Sequence, residues 1–552
     1  MSVLNQGRLN CGVQHDGVQH YIVQLGLLAA ALTLASKVGA TGVVPALPAQ
    51  GFSYQDALPA YLLDPDLSFG PIITSDNTPA DNPTTDNGAT LGRVLFYDKR
   101  LSHNYTTSCS SCHQQEKGFS DTAQLSEGFD GGLTGRHSMR LANARFFESG
   151  QMFWDTRAES LEEQALMPIQ DPVEMGLNLT TLVERLQATD YYPKLFEAAF
   201  GDAQITAERV GKAIAQFERS MVSYRSKHDE ATAARAAVVA NNPDANVIAA
   251  LRTVYTDQEL LGMALFEPLE GSGPGGSQTF VIDGQSRVYA NLHSASAQCN
   301  QCHATAAQTL GASADTASGQ EAGPIVANIG LDPGTPDPGA DGEGAFKAPS
   351  LRNVAVSGRF MHDGRFDSLD AVVRFYSRGI RNHPNLHRFL RVGDLETGAA
   401  EQFNFAPFEI DALVAFLETL TDEALLADIR FADPFVTLPG DYTGDGIVDD
   451  RDYVLWRDAF GQQGGIDLLT GADADGNGDG VVDLADYTVW RDNYGTTWET
   501  LGEGLFGVAT AVPEPATLGG WLCAVLCTLA ATRRRVTRRI LRCSRPSPLQ
   551  RP

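Results

Sequence analysis

The chain has 552 residues, and at about 150 residues per domain it is long enough for three or four units. Hydrophobic residues make up 43% and charged residues 20%, which excludes a disordered polymer. A formal charge of −27 excludes nucleic acid as a natural partner, because a phosphate backbone repels such a surface.

From the N-terminus, Leu25–Ala35 is an apolar run followed by Val38-Gly39-Ala40, the pattern of a signal peptide over residues 1–40. Its leading region is long, weakly basic and contains Asp16. An uncleaved anchor is the alternative, but the run falls short of the ~20 residues a spanning helix needs. Residues 41–87 are rich in Pro, Thr, Asp and Gly and read as a linker or extended arm. Regular structure is expected from Leu91-Gly-Arg-Val-Leu-Phe96. A related phrase, Leu261-Gly-Met-Ala-Leu-Phe266, recurs later, so a helix followed by C-x-x-C-H occurs twice. Apolar spacing predicts helices over 158–166, 178–200, 206–224, 368–378 and 407–420, with long loops that include a Gly/Ser-rich insertion at 270–290 and a stretch at 311–345. The body therefore reads as mainly α.

The chemistry lies in Cys109-Ser-Ser-Cys112-His113 and Cys299-Asn-Gln-Cys302-His303. Two cysteines three apart reach the two vinyl carbons of one porphyrin, and the adjacent histidine becomes an axial iron ligand. A thioredoxin-like pair or half a zinc site is the competing reading of a single motif. Two motifs, each after a matching helix phrase, indicate two covalently bound haem c groups, with His113 and His303 on the irons. The other cysteines, Cys11, Cys523, Cys527 and Cys543, fall in terminal segments, so no disulfide framework is expected in the body. Thioether attachment takes place outside the cytoplasm, which again implies export to the periplasm or cell envelope.

Around these motifs the sequence resembles the dihaem cytochrome c peroxidase family, including its maturase branch, which oxidises a precursor protein. The phrases LGRVLFYDKRLSHNYTTSCSSCHQQEKGFSD, FWDTRAESLEEQALMPIQDPVEMG and KAPSLRNVAVSGRFMHDGRFDSLDAVVRFYSRG carry the likeness over roughly residues 88–422. The resemblance implies a peroxidatic domain at 88–225 holding the first haem and an electron-transfer domain at 226–430 holding the second. Gln164 and Glu174 match the family's distal pair, with Pro168 between them. A carboxylate over an open iron can take a proton from hydrogen peroxide and return it to the leaving oxygen. Trp154 matches the indole that relays electrons between the haems. Tyr376, 14 residues after His362, stands where the peroxidase branch has a methionine ligand to the second iron, and a tyrosine there is the maturase pattern. A phenolate favours ferric and higher-valent iron; Met361 is the competing ligand. No histidine lies between His113 and His137, so the distal histidine of many members is absent and the first haem is expected to be open. His137 falls where the family has an asparagine that helps bind an interdomain calcium, completed by the carbonyls of Ser357 and Arg359. Histidine is a poor calcium ligand, which puts that ion in doubt.

Past the body, Asp441, Thr443, Asp445, Asp449 and Asp452 occupy positions 1, 3, 5, 9 and 12 of a loop. Asp475, Asn477, Asp479, Asp483 and Asp486 repeat the pattern, and the carbonyls of Ile447 and Val481 supply position 7. The pair at 440–498 resembles a type I dockerin, implying Ca2+ and a cohesin-like partner; a purely structural calcium module, or an acidic linker, is the alternative. Val512-Pro-Glu-Pro515, an apolar stretch and Arg533-Arg-Arg535 within 512–539 resemble a PEP-type C-terminal sorting signal, a removable membrane tether or a retained anchor. The expected fold is thus two cytochrome c-type haem domains followed by a small α-helical dockerin-like calcium module. Three functions stay open: a peroxidase fed by a small electron-donor protein (cytochrome c or cupredoxin), a maturase-like oxidase of a protein or organic substrate, or a non-catalytic dihaem carrier. A homodimer is compatible with each.

Overall fold

The computed structural model describes residues 51–63, 75–241, 247–267, 277–289, 299–303, 326–435, 438–443, 447–462, 474–477 and 481–496, with positions 45, 47, 48 and 297. The expected signal peptide and sorting segment lie outside the described residues, as do Asp445 and Asp479. The chain divides into two compact units, Val44–Val436 and a second made of Met1–Val43 with Thr437–Pro552.

The larger unit is mostly helical and is built on one packing idea used twice. Helix α1 (Asp86–Tyr97) starts at Thr85, whose side chain caps the Gly88 amide. It crosses the later helix α7 (Ala207–Ser220) at Gly92, where a Cβ would run into the Ala213 carbonyl and the Phe217 side chain. Helix α8 (Asp257–Phe266) crosses α10 (Pro407–Glu418) at Gly262, against the Ala412 carbonyl and Phe416. The phenylalanine four residues on packs alike in both, Phe96 on Phe217 at 5.4 Å and Phe266 on Phe416 at 5.2 Å between centroids. The phrase that repeats in the sequence is therefore a helix-crossing device, with glycine chosen for close backbone approach.

Several expected helices differ in extent. The span 178–200 is two helices, α5 (Leu179–Gln187) and α6 (Tyr192–Phe200), because Pro193 cannot continue α5 but suits the first turn of α6. The span 158–166 shortens to α3 (Leu161–Gln164), capped by Ser160, with α4 (Met167–Gln170) after it. Helix α1 starts five residues before Leu91, because Asp86–Thr90 follow a good cap. Within the expected insertion, β1 (Gln278–Ile282) and β2 (Gln285–Tyr289) form an antiparallel hairpin. Its Asp283-Gly284 turn has both φ values positive, at 52° and 71°, the geometry that matches strand twist. The residues expected as a linker include Tyr54, which is buried and bonds to the Arg430 carbonyl at 2.9 Å.

In the smaller unit, α11 (Asp450–Ala459) and α12 (Leu484–Asn493) are related by reciprocal contacts. Trp456 Nε1 donates to the Asp483 carbonyl at 2.8 Å and Trp490 Nε1 to the Asp449 carbonyl at 2.9 Å. The Gly461 amide donates to Val482 and the Gly495 amide to Val448, both at 2.8 Å. Two copies of one sequence pattern thus fold into a pseudo-symmetric pair with Tyr442, Trp456 and Val482 in a common core.

Candidate active site

The short helix α2 (Cys109–Cys112) carries the first motif, and its turn brings the His113 amide to the Cys109 carbonyl at 3.0 Å. The chain then reverses through Gly118 and Phe119, both at positive φ. That reversal returns the Phe119 carbonyl to His113 Nδ1 at 2.8 Å. A carbonyl can only accept, so Nδ1 carries the proton and Nε2 keeps a free lone pair. Burial holds the imidazole below its ordinary pKa, in the neutral form a metal requires.

Cys109, Cys112 and His113 open onto a cavity of about 560 Å3. Gln164 from the end of α3, Pro168 from α4, Glu174 from the following turn and Trp154 line the same space. Gln164, Glu174 and Trp154, the three catalytic candidates, therefore line the same cavity as the first motif. Burial, then the Asp171 carboxylate, raises the Glu174 pKa above the ordinary carboxylate range. Trp154 is pinned on both sides: its Nε1 donates to the His137 carbonyl at 2.8 Å, and its carbonyl accepts from the Lys347 amide at 2.7 Å.

A haem c fits these residues. Burial raises the pKa of both thiols, Cys112 to about 11, so they are held neutral where a thioether would lie. Met152, Leu161 and Ile214 provide apolar wall. Two further wall residues were not found from the sequence. Arg140 bonds only neutral groups, the Ser350 carbonyl at 3.0 Å and Ser357 Oγ at 3.2 Å. Lys347 Nζ reaches the Gln151 carbonyl at 3.3 Å and lies 3.7 Å from the Phe147 ring centroid. Burial pushes Arg140 down to about 10 and Lys347 to about 7. Two cations without a carboxylate partner match the two carboxylates that a haem carries. Lys347 stands in the quoted phrase that begins KAPSLRN, but an isolated lysine ordinarily reads as solvated surface.

The second motif repeats the local turn, with the His303 amide on the Cys299 carbonyl at 3.0 Å. Tyr376 lies on α9 (Leu369–Arg378). Its phenol is raised by burial and by the nearby Cys302 and Cys299 sulphurs, so it stands close to this motif. Met361 and Tyr376 border one apolar cluster with Leu331, Phe375 and Leu386. Residues 304–325 lie outside the described region.

At the place expected for interdomain calcium, the His137 ring is engaged by Ser120 Oγ at 3.3 Å and the Ala123 carbonyl at 3.2 Å. The Arg140 guanidinium, already a cation, takes Ser357. Among the described residues no group of three His, Cys, Asp or Glu side chains is placed to hold a metal.

The chain matches the family described as Di-haem cytochrome c peroxidase over residues 86–237. It is 32% identical over 359 residues to the methylamine utilization protein MauG of Methylorubrum extorquens, covering 62% of this chain and 81% of that protein. The chain belongs to the di-haem cytochrome c peroxidase family. This family member is also 27% identical over 373 residues to the cytochrome c551 peroxidase of Nitrosomonas europaea, covering 65% and 90% of the two chains. Among solved structures, it is similar to a MauG-like protein associated with microbial copper homeostasis, with 30% identity, a TM-score of 0.50, and coverage of 69% of this chain and 99% of that one. This di-haem peroxidase is accordingly an oxidoreductase of the cytochrome c peroxidase type, and its family implies two haem c groups.

Proposed function

We propose that this peroxidase reduces hydrogen peroxide to water in the cavity at Cys109–His113, with two electrons delivered singly through the second haem from a small electron-donor protein. The observation that carries this reading is the convergence of Gln164 and Glu174 on the cavity that holds the first motif. A haem held by Cys109, Cys112 and His113 would supply the iron chemistry for cleaving the O–O bond of peroxide. The residues manage protons around that event. Glu174 accepts the proton of the incoming peroxide and returns it to the departing oxygen, so that with two further protons from solvent and two electrons the products are two waters. Burial, then Asp171, raises its pKa, which makes the carboxylate a better proton acceptor. Gln164 orients the peroxide by hydrogen bonding without competing for its proton. Trp154, held by His137 and Lys347, gives a rigid aromatic bridge from the cavity wall toward His362. His113 and His303 would hold the two haem irons in this reading.

A second reading, a maturase-like oxidase of a protein or organic substrate, is favoured by Tyr376 standing beside the Cys299–Cys302 pair. Stopped-flow addition of peroxide separates the readings. Reaction only after half-reduction supports the peroxidase. Reaction of the fully oxidised protein, with no added electrons, favours the maturase-like oxidase. No spectral change leaves a dihaem carrier.

For the smaller unit we infer calcium binding at the two loops. Thr443 and Asp452, loop positions 3 and 12, join through the Thr443 amide at 2.8 Å, and Asn477 and Asp486 do so at 3.1 Å. Asp441 and Asp475 begin the two loops, Asp449 and Asp483 cap the helices, and Ile447 and Val481 offer carbonyls. The dockerin-like role, with a cohesin-like partner, rests on this sequence pattern. Export and C-terminal tethering rest on the terminal segments; no helix among the described residues is long and apolar enough to cross a membrane. Calorimetric titration of Ca2+ into the protein tests the loops, with two ions per chain expected.

A further inference from the structure

Glu218 is a titratable residue of the cavity to which peroxide reduction assigns no task. It lies on α7 four residues after Ile214, so the two share a helix face, and both line the cavity. Its side chain is only 4% exposed, and Oε2 has no hydrogen-bond partner. The adjacent cation, Arg219, is bound in bidentate fashion to Glu162 of α3, at 2.6 and 3.0 Å.

The cations on elements packed against α7 are engaged elsewhere. On α1, Arg93 donates to the Ala432 carbonyl at 2.6 Å, and Asp86 accepts from the Tyr54 amide. On the turn Ala144–Phe146, Arg145 pairs with Asp76. On α5, Arg185 is spent on the carbonyls of Arg100 and Ser102, beside Glu184. On α7 itself, Arg209 pairs with Asp202, and Lys212 with Asp81 and Glu208. Across the cavity, Cys109 is influenced first by burial and then by Glu218, with Glu174 a weaker presence. Glu218 therefore stands near the sulphur at which a haem edge is attached.

We propose that Glu218 is a proton-holding acid coupled to the charge of the first haem pocket: it binds one proton when the pocket gains one electron and releases it when that electron leaves. The inference rests on the reading of Cys109–His113 as a haem site. Its physical cause is simple. A buried carboxylate whose neighbouring cation, Arg219, is already paired with Glu162 is costly, and an arriving electron removes a positive charge that would otherwise offset the anion. Burial pushes the acid up to about 8, so the exchange falls in an accessible pH range. The proton comes from solvent and the electron from the one-electron donor protein.

The test is a spectroelectrochemical titration of the first haem in the two-haem protein, from pH 6 to 10, for the wild type, Glu218→Gln and Glu174→Gln. The expected result is a wild-type midpoint potential that falls with pH around pH 8, a flat response there in Glu218→Gln, and a retained slope in Glu174→Gln. A wild-type slope retained in Glu218→Gln overturns the proposal. An independent measurement on unmodified protein is the redox-induced infrared difference spectrum. A protonated-carboxyl band that gains intensity on reduction supports the proposal, and its absence overturns it even if the glutamine variant does not fold. Protein with no covalent haem at Cys109 and Cys112 overturns the haem reading itself.

Discussion

The indole of Trp154 meets the His362 imidazole edge to face, with centroids 6.5 Å apart and planes at 70°. His362 in turn stacks on Phe346 at 3.6 Å, and it directly follows Met361, which borders the Tyr376 cluster. Trp154, His362 and Phe346 thus form a run of ring contacts that begins at the wall of the first cavity. Replacing Trp154 with leucine should slow electron passage between the haems while both remain attached, and Trp154→Phe should retain more of the rate. Flash-photolysis kinetics on half-reduced protein measures this.

Arg352 and Asp229 form an ion pair at 2.6 Å, with side chains 1% and 3% exposed. Arg352→Met leaves Asp229 charged, buried and unpaired, which should cost about 3–5 kcal/mol. Chemical denaturation followed by circular dichroism gives the value.

His137 sets an acid limit on stability. Burial, then Arg140, lowers its pKa from 6.5 to about 4, so the folded state keeps it neutral while the unfolded chain protonates near its ordinary value. Its contribution is complete above pH 6.5 and is lost as pH falls through about 4. The difference corresponds to about 3 kcal/mol. Thermal unfolding between pH 4 and 7 should show a shallower acid decline in His137→Asn than in the wild type.

Asp452 and Asp486 are fully buried at the starts of α11 and α12. Changing both to alanine should abolish Ca2+ binding to the smaller unit while leaving haem absorbance per chain unaltered. Titration calorimetry beside a visible spectrum separates the two.

Much of this was legible in the sequence, for reasons that differ by residue. The two C-x-x-C-H motifs are local chemistry, and the Leu-Gly phrases recur because each crossing needs a glycine at one spot. Gln164, Glu174 and Trp154 came from resemblance, since a glutamine and a glutamate ten residues apart carry no signal of their own. Arg140, Lys347 and Glu218 were missed because a lone charge in an amphipathic segment reads as solvent-facing until the fold is seen to turn it inward. Glu218 had one available clue, its place four residues after Ile214 on the apolar face of α7. The β1–β2 hairpin also had a signal, Asp283-Gly284 between Phe280–Ile282 and Val288–Tyr289, which the Gly/Ser-rich surroundings masked.

The central claim is that Glu174 moves the protons of peroxide reduction in the cavity at Cys109–His113. Its most direct test is steady-state peroxide reduction with a reduced small cytochrome or cupredoxin as donor, comparing the two-haem wild type with Glu174→Gln. The account predicts peroxide-dependent donor oxidation and a fall of roughly 10²–10⁴-fold in kcat/KM for the variant. Equal turnover by the two proteins, or no peroxide consumption by a wild type carrying both haems, would contradict it.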